Sequence, residues 1–170
     1  VLNLGLNAQT LEGLANLTGD RRFALDAYRR FIQMFGKIVR GIEGDLFEAA
    51  LTEAKQKAGV RTDPELQPAD LEKLVTRFKA IYRRHTGEDF PELPREQLHA
   101  AVLAVFQSWN GDRAVAYRRM EKIPDEIESY IQASSAEPAM EESAIFDEVV
   151  DIVVKGGYDY YIYDLVPLGH

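Results

Sequence analysis

From Phe23 to Ile38, large apolar side chains return every three or four residues: Phe23, Ala27, Phe31, Met34, Phe35 and Ile38. That is the period of an α-helix, so the stretch predicts a long helix with one face turned to a core. The same rhythm holds on either side. Asn7 is placed to cap a short helix carrying Leu11, Leu14 and Leu17, Gly19 closes it, and Asp20 caps the long one. Gly41 and Gly44 bracket a break, after which Leu46, Phe47, Leu51 and Ala54 mark a helix ended at Gly59. VRTDPELQ (60–67) reads as a loop, and Pro68 suits the first turn of a helix bearing Leu71, Leu74, Val75, Phe78, Ile81 and Tyr82. FPELP (90–94) holds too much proline for either regular structure. Leu98, Ala101, Val102, Val105, Phe106 and Trp109 line a further helix, NGD (110–112) turns, and Asp112 caps a last helix through Arg119. The expected fold is mainly α: a compact unit of about six helices over residues 1–124.

Beyond residue 124 the character changes. Residues 126–133 read as helical, SSAEP (134–138) as a loop, and Ile145, Val149, Ile152 and Val153 trace a helical stripe. Gly156 and Gly157 stop that helix, and YDYYIYDL (158–165) follows as a terminal β-strand. Helix, tight turn and strand make one arm of a βαβ unit whose preceding strand is missing. Charge marks the same division. Residues 1–124 carry 19 Lys+Arg against 17 Asp+Glu, whereas residues 125–170 carry Lys155 alone against 11 acids. All 13 arginines lie in the first part. The acidic part is too rich in Ile, Val, Tyr and Phe for a solvating tail, so a boundary between segments of different origin is expected near residue 124.

At 170 residues the chain has room for about one domain. Its 46% apolar and 28% charged residues are the mixture of a soluble globular protein, and no apolar run approaches the roughly 18–20 residues that cross a bilayer. The chain opens on Val1, directly into amphipathic sequence, which is the pattern expected of an excised piece without a signal peptide. The absence of cysteine rules out disulfides, zinc-thiolate sites and thiol nucleophiles, and fits a cytoplasmic location. Nucleic acid is not an expected partner, because even the arginine-rich part is near neutral. Neither is a membrane.

The residues that offer chemistry are few. His85, His99 and His170 sit in different segments, with no HxxxH or His–carboxylate spacing to suggest a metal. Arg29-Arg30, Arg83-Arg84 and Arg118-Arg119 are paired cations that suit phosphate. Neighbouring helical residues point about 100° apart, however, so a pair does not easily clamp one anion, and a solvated helix face is the favoured reading of each pair taken alone. KGG (155–157) has the wrong order for a phosphate loop, since its glycines end a helix rather than open one. Asp164 stands just past a hydrophobic strand, where a P-loop ATPase places its Walker B aspartate beside magnesium; a strand-ending aspartate that caps a turn would look the same.

At VLNLGLN (1–7), DAYRRFIQMFG (26–36), TGEDFPELPREQL (86–98) and AVFQSWNGDRAVAYRR (104–119) the sequence resembles pyruvate phosphate dikinase. The resemblance covers residues 1–124 and implies the helical insert of an ATP-grasp type ATP-binding domain, a part that helps to cover ATP. Members of that family use ATP, phosphate, pyruvate and magnesium to make phosphoenolpyruvate through a phosphohistidine on another domain. Arg29, Arg30, Arg113 and Arg118 match its pattern and are the implied phosphate or domain-docking contacts. The pattern stops after IPDE (123–126). Residues 138–170 resemble the arsenite-pump type ATPases, with Asp164, Pro167, Gly169 and His170 matching their strand-end motif and two of its threonines replaced by Leu165 and Leu168.

Together these features lead to the expectation of a composite fragment, the dikinase helical subdomain joined to a piece of a P-loop ATPase, inactive by itself. The parent families imply ATP and magnesium as cofactors, neither held tightly by this chain. They also imply the parent enzyme's remaining domains as partners, and the strand at 158–165 offers an edge for self-association. A free-standing helical interaction module with an acidic C-terminal arm is the rival expectation, and a small nucleotide-binding regulator is a third.

Overall fold

A computed structural model describes residues 1–122, and among those residues all regular structure is helical. The six α-helices are α1 (Ala8–Thr18), α2 (Arg21–Val39), α3 (Gly44–Ala58), α4 (Pro68–Thr86), α5 (Pro94–Ser108) and α6 (Asp112–Glu121). The mainly α expectation is therefore met; the expected terminal helix and strand lie outside the described residues. The chain divides after Val105 into two units, and the described residues of the second are 106–122.

The helix ends follow local chemistry. The Asn7 side chain accepts from the Thr10 N–H at 2.8 Å while Thr10 Oγ1 accepts from the Asn7 N–H at 2.8 Å, a reciprocal capping box that starts α1. Asp20 accepts from the Phe23 N–H at 2.8 Å and starts α2. Pro68 occupies the first turn of α4, and Gly19, Gly59 and Gly87 close α1, α3 and α4 in the left-handed region. Two boundaries differ from expectation. Gly111, not Asp112, caps α6, and Pro94 belongs to α5 rather than to the irregular stretch before it. The expected loop at 60–67 contains a 3-10 turn over Asp63–Glu65. Glu65 stabilises it by accepting from the backbone N–H groups of Arg61 and Thr62, and Leu66 behind it is fully buried.

The core of the first unit lies where α2 meets α1 and α4, with α3 packed on α4. On α2 the buried face is Ala24, Leu25, Tyr28, Phe31, Ile32 and Phe35, while Phe23 and Ile38 from the expected stripe are exposed. Among the described glycines the packing is tightest at Gly36, where a Cβ would stand 2.9 Å from Cζ of Phe47 on α3. Phe90, from the proline-rich stretch, plugs the gap between α2 and α4. Its ring meets those of Phe31, Phe35 and Tyr82 at centroid distances of 5.7, 5.4 and 5.2 Å, each edge to face. That geometry places ring-edge hydrogens on neighbouring π faces and adds to the area term.

Candidate functional site

Asp26 organises the first pair of candidate arginines. It stands three residues before Arg29 and four before Arg30 on α2, so one carboxylate reaches both. Its Oδ1 accepts from Arg29 Nε at 2.8 Å and its Oδ2 pairs with Arg30 Nε at 3.0 Å. The two side chains then part. Arg29 is only 3% exposed and donates through Nη2 to Asp63 at 2.7 Å, whereas Arg30 is 61% exposed. Arg29 is thus not the solvated residue that its type suggests. A buried guanidinium needs such partners, because leaving it unpaired would be strongly destabilising.

Asp63 draws in a third helix. Lys55 of α3 donates to its Oδ1 at 3.0 Å, and Arg22 of α2 donates to its backbone carbonyl at 2.9 Å. Partial burial works against the charged carboxylate, but the hydrogen bonds and charges of Lys55 and Arg29 outweigh it and hold its pKa below the ordinary aspartate value. The result is a closed ion cluster that fastens the 3-10 turn to α2 and α3.

In the second unit, Arg113 and Arg118 both lie on α6. Arg113 is exposed. Arg118 is buried, with its guanidinium carbon 4.5 Å from the Trp109 ring centroid and Nη1 donating to the Trp109 carbonyl. Stacking on indole and capping the end of α5 is a structural use of the cation. Asp164, Pro167, Gly169 and His170 lie outside the described residues.

His85 is exposed and its Nδ1 lies 2.9 Å from the Ile81 carbonyl; His99 sits in the middle of α5. No three His, Asp or Glu side chains gather into a metal-holding group among the described residues, and no helix there is long and apolar enough to cross a membrane. Reasoning on the sequence missed Asp26, Lys55 and Asp63 as the partners that decide what each arginine can do. The spacing of Asp26 from Arg29 and Arg30 was a signal for the first; Lys55 and Asp63 become neighbours only through the fold.

The chain is similar to curated dikinases. It is 45% identical over 135 residues to the pyruvate, phosphate dikinase of Giardia intestinalis, covering 79% of this chain and 15% of that protein. With that of Clostridium symbiosum the identity is 47% over 125 residues, 73% of this chain and 14% of the relative. With pyruvate, phosphate dikinase 2 of Oryza sativa subsp. japonica it is 48% over 123 residues, 72% and 14%. The chain therefore spans 14–15% of the length of these relatives. No family model matches it.

Proposed function

We propose that residues 1–124 are the helical subdomain of the ATP-binding domain of a pyruvate phosphate dikinase, a part that helps to cover ATP in a much larger phosphotransferase. The observation that carries this is 45–48% identity to proteins of that name over 72–79% of the chain. The length of the match, 123 to 135 residues, supports it as well, being close to the span of the helical part.

On this proposal ATP, phosphate, pyruvate and magnesium belong to the whole enzyme, in the cytoplasm, and the chain alone holds neither ATP nor magnesium tightly. The enzyme's remaining domains are its partners. Arg30 and Arg113 are exposed and suited to touch phosphate or a docked domain directly. Arg29 and Arg118, buried on Asp26, Asp63 and Trp109, would serve by holding the neighbouring surface in place. The likeness of residues 138–170 to arsenite-pump type ATPases supports reading them as a piece of a P-loop ATPase, with Asp164 in the Walker B position and the strand at 158–165 as an edge for self-association.

Phosphoryl transfer rests on positioned donors, metal ligands and an in-line acceptor, and on this proposal the other domains of the enzyme complete that set. Purified chain incubated with labelled ATP, magnesium, phosphate and pyruvate is expected to release no label above a heat-treated control. Release abolished by Asp164→Ala would overturn the proposal in favour of a complete small enzyme. The exposed Leu93 and Val105 favour one second reading, a free-standing helical interaction module with an acidic C-terminal arm, in which they would meet a separate partner.

A further inference from the structure

Helix α5 is attached to the first unit by polar contacts more than by apolar ones. Of its 15 residues only Gln97 and Ala101 are buried, and Val105 is 68% exposed. Gln97 is fully buried and uses both ends of its amide. Its Oε1 accepts from the Gly5 N–H at 2.8 Å, and its Nε2 donates to the carbonyls of Leu6 at 2.9 Å and Pro91 at 2.8 Å.

A second set of bonds runs alongside. Asn7 Nδ2 donates to the Glu92 carbonyl at 2.9 Å, and the Glu92 carboxylate accepts from the Ala8 N–H at 3.3 Å. The same carboxylate takes the Tyr28 hydroxyl at 3.1 Å and pairs with Lys79, which ties the loop before α5 to α2 and α4.

We infer that residues 3–8 are a strap that latches α5 to the body of the first unit through Gln97, so that strap and α5 open together, ahead of α2 and α4. The sequence distance is 92 residues from Gly5 to Gln97, so the two segments have no local reason to move as one. Their coupling comes from the amide. Gly5 N–H and the two carbonyls are backbone groups, and losing the Gln97 amide would leave them without those partners in a part-buried position. The order of opening follows from burial. The strap is only partly buried, with Asn7 its one buried residue and Leu4 and Leu6 packed on the edge of the core, whereas Phe31 and Phe35 of α2 and Phe78 and Tyr82 of α4 are fully buried within it.

Gly5 offers a way to pull on one end of the latch alone. Its φ is +96°, a conformation that strains any residue with a Cβ, and there is open space around it, so Gly5→Ala strains the strap without a clash. Hydrogen exchange on the full chain is the test. In Gly5→Ala, amides of residues 95–101 are expected to exchange roughly tenfold faster, together with those of 3–8, while interior amides of α2 and α4 keep their rates. Gln97→Ala should accelerate the same two segments. Unchanged exchange at 95–101 in Gly5→Ala would show strap and helix to be independent and overturn the inference. So would an equal rise in α2 and α4 in either variant, or a Gln97→Ala chain with no folded α2–α4 body.

Discussion

Asp63 holds three segments at once, and its ionisation carries a prediction. Its pKa is depressed in the folded chain, so the unfolded chain binds the proton more readily. The sign follows directly: the stability it supplies is present above the ordinary aspartate range and is lost as the pH falls through its lowered value. Asp63→Asn removes the charge but keeps the shape. At neutral pH the variant is expected to lose about 1–3 kcal/mol, because Arg29 stays buried with Asp26 as its remaining carboxylate partner among those bonded to it. Below pH ~4 the gap to the parent should narrow, since the unfolded parent takes up a proton that its folded form still refuses, until the pH falls through the lowered folded value. Denaturant melts of both chains across that range decide it. A gap that widens in acid would show that Asp63 is not ionised in the fold.

At the scale of elements, α2 and α3 approach through a glycine. Adding a methyl at Gly36 drives it to 2.9 Å from the fully buried Phe47 ring, which packs edge to face on Phe78 at 5.0 Å and has no free direction to retreat. Gly36→Ala is therefore expected to destabilise by about 1–3 kcal/mol, although alanine favours a helix over glycine. A thermal melt showing the variant equal to or more stable than the parent would contradict this close approach.

The elements also show what could be read beforehand. Caps and glycine stops are local signals, and Asn7, Asp20, Pro68, Gly19 and Gly59 act where the sequence places them. The face of α2 was half legible. Two series of three- and four-residue steps share Phe31 and Phe35, and only the helices that pack on α2 choose the one containing Leu25, Tyr28 and Ile32. On α5 most of the expected apolar stripe is not buried; Ala101 is its one buried member, and the polar Gln97 is the residue that turns inward. Phe90 gave no signal because a single aromatic among prolines has no period. The candidate site was legible as residue types alone. Asp26 beside Arg29 and Arg30 was within reach of a spacing rule, but Asp63 meets Arg29 across 34 residues of sequence.

On the scale of the whole molecule, the first unit has its own aromatic core and its own ion cluster, while the chain spans 14–15% of the relatives it resembles. If, as proposed, this helical body serves inside a larger phosphotransferase, it should be exchangeable between relatives. The most direct test is to replace the matching segment of the Clostridium symbiosum dikinase with residues 1–122 and to measure phosphoenolpyruvate formation from ATP, phosphate and pyruvate. At 47% identity the exchanged enzyme is expected to keep its rate within about tenfold, roughly 1.4 kcal/mol of barrier. A chimera that folds, by its circular dichroism and melting transition, yet forms no phosphoenolpyruvate would contradict the assignment of this chain to the ATP-binding region of a dikinase.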